Sequence, residues 1–150
     1  MEKAQIAVLR ADVNAQLVEI ERIYARIEER ARGKGPAELE GLSYWLHNLY
    51  CAFEDIFKLV AAAFENHVSM DGGYHVELLK RMSVSIEGVR PALISADSRA
   101  LFDNLRAFRH LLRHAYMYDL DERKVRAVFE DATKLKALYR RDINSFFNQI

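Results

Sequence analysis

Residues 42–64, LSYWLHNLYCAFEDIFKLVAAAF, decide the fold class of this chain. Their large apolar side chains recur at intervals of three and four residues, which is the repeat of one face of an α-helix. The positions of that face are Leu42, Trp45, Leu46, Leu49, Phe53, Ile56, Phe57, Val60 and Phe64. The pattern predicts a long helix from about Ala37 to Val68 with one broad apolar face.

Four further segments with the same periodicity flank this helix. Their predicted bounds are residues 6–32, residues 74–88, a segment that starts after Asp97 or Ser98, and a last segment that starts near Asp119. Glycine and proline punctuate the connections, and either Asp97 or Ser98 is a suitable N-cap. In the last segment Glu122 follows Asp119 by three residues, which resembles a capping box.

No segment alternates apolar and polar residues with a period of two, so strands are not predicted. The chain is therefore predicted to be all-α, as an up-and-down bundle of about five helices. Its length of 150 residues, of which 51% are hydrophobic, predicts a single domain over residues 1–150.

The composition excludes several classes of protein. With 22 basic and 22 acidic residues the net charge is zero, which removes the simplest argument for nucleic-acid binding but allows a local basic patch. Cys51 is the one cysteine, so a disulfide scaffold and a zinc site of several thiolates are excluded. No run approaches the ~18 apolar residues of a membrane span. A cytoplasmic protein that makes no membrane contact is expected.

The sequence also lacks the common motifs of metal and phosphate chemistry. None of the five histidines has an acidic residue three positions before it, as the Glu-x-x-His ligands of a helical metal pair require. His-Glu-x-x-His, a phosphate-binding glycine loop and a nucleophile elbow are missing too. Neither a metal nor a cofactor is predicted.

The most unusual stretch is residues 105–118, LRAFRHLLRHAYMY, which lies in an acid-free interval between Asp103 and Asp119. Its basic or titratable side chains are Arg106, Arg109, His110, Arg113 and His114. Arginine donates paired hydrogen bonds to phosphate, and histidine transfers protons near neutral pH. The stretch predicts a local anion site. The alternative is an ordinary solvated helix face.

Helical geometry separates the candidate groups of this stretch. Arg109, Arg113 and Tyr116 lie within about 60° of one another on an ideal helix, whereas His114 lies roughly 140° from Arg109. Either the helix is distorted, or the arginine reaches round it, or a second copy of the chain completes the site. A symmetric homodimer would also supply two histidines, one as base and one as acid.

At these residues the sequence resembles the HEPN superfamily, and within it the HepT-like toxin ribonucleases. The signature of that branch is Arg-x4-His-x-Tyr, which Arg109, His114 and Tyr116 match in order and spacing. Many HepT-like sequences have Asn directly after the arginine, where this chain has His110. The role of His110 therefore stays open between a phosphate contact, a second proton carrier and a spectator.

The resemblance implies the toxin of a toxin–antitoxin module, a homodimer that cleaves RNA without a metal. Arg109 and His114 would be its catalytic residues, and the ribose 2′-OH would attack the adjacent phosphate. Arg106, His110 and Arg113 are the candidate RNA-binding residues, and tRNA or mRNA is the expected substrate.

The resemblance further implies a nucleotidyltransferase antitoxin of the MNT type, which silences the toxin by adding AMP to Tyr116. Tyr116 is alternatively an aromatic residue at the edge of the core. The competing function is a non-catalytic helical dimer that binds a nucleotidyltransferase. Sequence-specific DNA binding is disfavoured, because no helix-turn-helix spacing accompanies the basic stretch.

The other histidines and the cysteine are predicted to be structural. This group comprises His47, His67 and His75, together with Cys51 as a buried, inert thiol. Tyr44, Trp45 and Tyr50 are predicted to be core or dimer-interface aromatics. Glu54 and Asp55 lie in the middle of an apolar helix, where they either orient an arginine across the bundle or are simply exposed.

Overall fold

The all-α prediction is confirmed by a computed structural model that describes residues 1–65, 73–114 and 119–150. Its helices are α1 (Lys3–Arg32), α2 (Pro36–Phe64), α3 (Tyr74–Met82), α4 (Ala96–Arg113), α5 (Glu122–Lys136) and α6 (Tyr139–Asn148). Within these residues the extended structure is limited to one isolated bridge, between Ile86 and Arg90. No helix in the described ranges combines the length and apolar character that a membrane span requires.

The first two helices form an antiparallel hairpin with a very short turn. Gly35 has a φ of 96°, a conformation that residues with a Cβ rarely adopt. Pro36 follows as the first residue of α2, where its missing N–H costs no hydrogen bond.

Helix α2 lies at the centre of the bundle and contacts α1, α3, α4 and α5. Most of its predicted apolar face is fully buried, and Phe53 and Phe57 pack edge-on against Phe102 of α4. The predicted end of this helix near Val68 lies outside the described residues, and its described part ends at Phe64.

The last predicted segment is two helices rather than one. Between α5 and α6 the backbone tightens, because Ala137 and Leu138 donate to carbonyls three residues back, as in a 3₁₀ turn. The turn buries Tyr139, which stacks on Tyr24 of α1. Neither glycine nor proline marks this break. The apolar periodicity therefore predicted one continuous helix. The N-cap is Asp121, not Asp119.

Helix α3 ends at Met82, six residues before the predicted end. The chain then runs to Arg90, whose side chain is 0% exposed and forms an ion pair with Glu65 at the end of α2. The Arg90 guanidinium also donates to the carbonyls of Arg81, Val84 and Pro91. This buried network attaches the connection between α3 and α4 to the bundle.

Helix α4 begins earlier than predicted. Its N-cap is Ser95, whose hydroxyl accepts from the backbone N–H of Ser98 at 3.2 Å. The buried carboxylate of Asp142 in α6 accepts hydrogen bonds from Ser95 and Ser98. The start of the helix that carries the basic stretch is therefore bound to the C-terminal helix.

Candidate functional site

Helix α4 runs antiparallel to α2, and Arg109 of α4 contacts α2. Phe102 packs near Phe57 at one end of the contact. Further along, Arg109 reaches Cys51, and both Arg109 and Arg113 act electrostatically on His47. The common effect of Arg109 and Arg113 on His47 is consistent with the sequence prediction that they share one helix face.

The half-buried Arg109 is held by side chains of two other helices. Its Nε donates to Cys51 Sγ at 3.4 Å, and its Nη1 lies 3.5 Å from His75 Nε2. Cys51 is half-buried rather than buried, and its thiol contacts the guanidinium of Arg109.

Behind His75 lies a buried carboxylate. Glu54 is 4% exposed, and its two oxygens lie 2.9 and 2.8 Å from His75 Nδ1. Lys58, one turn further along α2, approaches the same carboxylate at 3.7 Å. Glu54 therefore neither contacts an arginine directly nor is exposed: it orients the imidazole that contacts Arg109. Its neighbour Asp55 is exposed.

We call this group of side chains the α2–α4 site. Its members are His47, Cys51 and Glu54 of α2, His75 of α3, and Arg109 and Arg113 of α4.

The positive charges of the site act on His47. Burial lowers the pKa of His47 below its usual 6.5, and the hydrogen bond with Asn48 opposes this effect. Arg109 and Arg113 lower the pKa further, since a third cation beside two guanidinium groups is unfavourable. His47 is therefore neutral at pH 7.

Tyr50 lies beneath the site and is fully buried. Burial raises the pKa of its hydroxyl strongly, and the negative charge of Glu54 raises it further. The phenol consequently keeps its proton at neutral pH and does not serve as a base. Tyr50 is thus a core aromatic, whereas Tyr44 is 57% exposed.

The two histidines at the end of α4 lie apart from the contacts of Arg109. The helix ends at Arg113, and His114 is the C-cap residue with non-helical backbone angles. Its ring packs against that of His110, with 4.7 Å between ring centroids, and both residues are exposed. Helix α4 is regular up to Arg113. A distortion that would bring Arg109 and His114 together is therefore limited to His114 itself.

Arg106 has a carboxylate partner that the acid-free interval did not reveal. Its Nε donates to Asp103 Oδ1 at 2.9 Å, one turn back and just outside that interval. The described residues include neither Tyr116 nor His67, so the predictions for these two residues lie outside the structure described here.

Sequence reasoning treated His47, Cys51, Glu54 and His75 as structural or ambiguous residues. The first three follow one another at helical spacing on α2, and this polar stripe on an apolar helix was a usable signal. His75 carried no such signal, because its position depends on how α3 packs. No group of three or more histidine, cysteine or acidic side chains in residues 1–65, 73–114 and 119–150 is arranged to hold a metal ion.

The fold and this site define a class of protein: an all-α bundle in which an arginine near the end of α4 lies beside histidine side chains of α2 and α3. The family described as HepT-like protein matches residues 41–150. This range is most of the chain and contains the whole α2–α4 site, and the chain belongs to that family. Comparisons with curated proteins and with solved structures find no significant match.

Proposed function

We propose that this protein is a metal-independent endoribonuclease, the toxin of a toxin–antitoxin module. The observation that carries the proposal is the environment of Arg109. Its contacts in the described part of the chain are a thiol and an imidazole, so the guanidinium charge is not already neutralised by a carboxylate there. An arginine in this state has its charge available for a phosphate.

The proposed reaction is an attack by the ribose 2′-OH on the adjacent phosphorus. The new P–O2′ bond forms as the P–O5′ bond breaks, which leaves a cyclic phosphate and a 5′-hydroxyl. Arg109 stabilises the charge that develops on the phosphoryl oxygens. His114 donates a proton to the leaving 5′ oxygen, or accepts the proton of the attacking hydroxyl.

A homodimer is part of the proposal. Arg109 faces α2 and α3, whereas His114 packs against His110 on another side of α4. A second copy of the chain that faces this helix end would bring its own His114 to the arginine. Each copy would be a single domain of residues 1–150.

The RNA strand is expected to follow the remaining basic groups of the stretch. Arg113 adds positive charge beside Arg109, and the exposed His110 lies next to His114. Arg106 contributes less if its ion pair with Asp103 persists in the complex. The proposed substrate is tRNA or mRNA, which assigns the protein to the cytoplasm.

The proposed regulator is an MNT-type nucleotidyltransferase that attaches AMP to Tyr116. The added phosphate would place negative charge near Arg109 and Arg113, so it would compete with RNA for the same cations.

The test is RNA cleavage by purified protein in excess EDTA. Arg109→Ala and His114→Ala are each expected to reduce the rate by about 10²–10⁴-fold without changing the helical circular dichroism. Arg99→Ala removes an exposed arginine from the same helix, three turns from Arg109, and is the matched control. If EDTA stopped cleavage and Mg²⁺ restored it, the proposed mechanism would be wrong.

The alternative function is a non-catalytic dimer that binds a nucleotidyltransferase. It predicts that the wild-type chain forms a stable complex with that enzyme and cleaves no RNA at any protein concentration.

A further inference from the structure

The contact between Glu54 and His75 fixes where the imidazole carries its hydrogen. A carboxylate can only accept hydrogen bonds, so the Nδ1 atom that faces both Glu54 oxygens must be an N–H. A guanidinium can only donate, and Arg109 Nη1 lies 3.5 Å from the other ring nitrogen. The neutral ring with a lone pair on Nε2 is the state that suits both neighbours.

An imidazole is held ready as a base when a buried carboxylate binds one ring nitrogen and the other ring nitrogen is free to accept a proton. The His75 side chain is 37% exposed, so a substrate has access to it. We propose that His75 is the general base of the α2–α4 site and that Glu54 is its positioning residue. This inference rests on the proposed ribonuclease function.

Arg109 connects the base to the reacting phosphate. The distance of 3.5 Å between its Nη1 and His75 Nε2 marks a weak hydrogen bond. A phosphate oxygen that accepts from Arg109 replaces that bond and leaves the Nε2 lone pair beside the phosphate. The 2′-OH of the same nucleotide is then adjacent to His75.

In the proposed step His75 Nε2 takes the proton of the 2′-OH as the O2′–P bond forms. The P–O5′ bond breaks with its electron pair on O5′, and the imidazolium of His114 donates a proton to that oxygen. His75 ends protonated and His114 ends neutral, and exchange with water restores both. Because His75 supplies the base, the two proton carriers are different residues rather than two copies of His114.

The charged and titratable groups that face His75 come from three helices. They are Glu54 and Lys58 of α2, Arg109 of α4, and Tyr74 of α3, whose ring lies edge-on at 5.4 Å between centroids.

A purely structural role for His75 would also explain the contact, since the bond to Glu54 attaches α3 to α2. The deciding variant is His75→Asn, because an amide can still donate to Glu54 but cannot exchange a proton near neutral pH. With bulk tRNA as substrate, we expect cleavage to slow by about 10²–10⁴-fold. The affinity for an uncleavable 2′-deoxy oligonucleotide is expected to stay within about two-fold of wild type.

Two further readouts separate proton transfer from folding. Cleavage by His75→Ala should be partly restored by added imidazole, which has no effect on the wild-type chain. Glu54→Gln should shift the acidic limb of the rate profile to lower pH, since the imidazolium loses its neighbouring negative charge. Glu77→Gln, an exposed carboxylate on α3, is the control and should leave the profile unchanged.

The outcomes distinguish this inference from the proposed function. If the wild-type chain cleaves no RNA, the ribonuclease function fails. If Arg109→Ala is inactive while His75→Asn cleaves at the wild-type rate, only the role of His75 is refuted. The role of His75 is also refuted if His75→Asn loses RNA affinity by the same factor as it loses activity. It is refuted likewise if imidazole does not restore cleavage by a folded His75→Ala chain.

Discussion

At the scale of single residues, the described contacts of Arg109 are with a thiol and an imidazole rather than with a carboxylate. Burial is the largest cause of the lowered pKa of His47, and the charges of Arg109 and Arg113 lower this pKa further. The titration of His47 therefore reports the electrostatic potential at which a phosphate would bind.

The first prediction concerns this titration. In the folded chain His47 should titrate below 6.5, Arg113→Ala should raise that pKa, and inorganic phosphate should raise it as well. Nuclear magnetic resonance of the ring protons measures all three, with Arg99→Ala as the control that changes nothing. A wild-type His47 that titrates at or above 6.5 would contradict the electrostatic description of the site.

The same pKa determines a pH dependence of stability. Because the folded pKa lies below the unfolded value, the contribution of His47 is fully present above about pH 6.5 and is lost as the pH falls toward the folded pKa. The free energy of unfolding in urea, measured at about pH 7.5 and at about pH 5.5, should change less between these two pH values for His47→Gln than for wild type.

A second residue-scale prediction concerns regulation. Coexpression with the MNT-type nucleotidyltransferase should add the mass of AMP to the chain, on Tyr116. Tyr116→Phe should stay toxic and escape this modification, whereas Tyr118→Phe, about 180° from Arg109 on an ideal helix, should still be silenced. Peptide mapping that places AMP on Tyr118 would refute the assignment, and protection by a catalytically dead partner would indicate steric binding instead.

At the scale of elements, α4 is anchored at its start and near its end. The Asp142 carboxylate binds Ser95 and Ser98 at the first turn, and Arg109 contacts α2 and α3 close to the last turn. The position of the basic stretch along α2 therefore depends on a buried acid in a different helix.

The prediction at this scale is that Asp142→Ala destabilises the bundle by about 1–3 kcal/mol, because the hydroxyl of Ser98 loses its acceptor in a buried position. The free energy of unfolding in urea measures this. Asn144→Ala, an exposed change in the same helix, is the control. Equal stability of the two variants would show that the Asp142 network does not hold α4.

At the scale of the whole molecule, the proposed reaction requires Arg109 and His114 to act on one phosphate. These two residues lie on different sides of the end of α4. On α2, the exposed Tyr44 lies one turn from His47. An exposed aromatic beside a polar site is a suitable contact for a second copy of the chain.

The whole-molecule prediction uses two inactive chains. Light scattering should give twice the 17.4 kDa chain mass, and Tyr44→Glu should weaken this dimer. An equal mixture of Arg109→Ala and His114→Ala chains should regain about one quarter of wild-type activity, since half of the dimers are mixed and each carries one intact composite site. No recovery in a mixture shown to exchange subunits would mean that each site lies within one chain.

The sequence by itself determined the helical class, the apolar face of α2 and the basic stretch of α4, because side chains three and four residues apart share a helix face whatever surrounds them. The same local rule placed Arg109 with Arg113 and apart from His114. Tertiary structure alone decided that His75 contacts both Glu54 and Arg109, since these residues come from three helices. It also decided the break between α5 and α6, which burial of Tyr139 favours and no local breaker marks. Packing brings together groups that are distant in sequence, and no periodicity encodes those contacts.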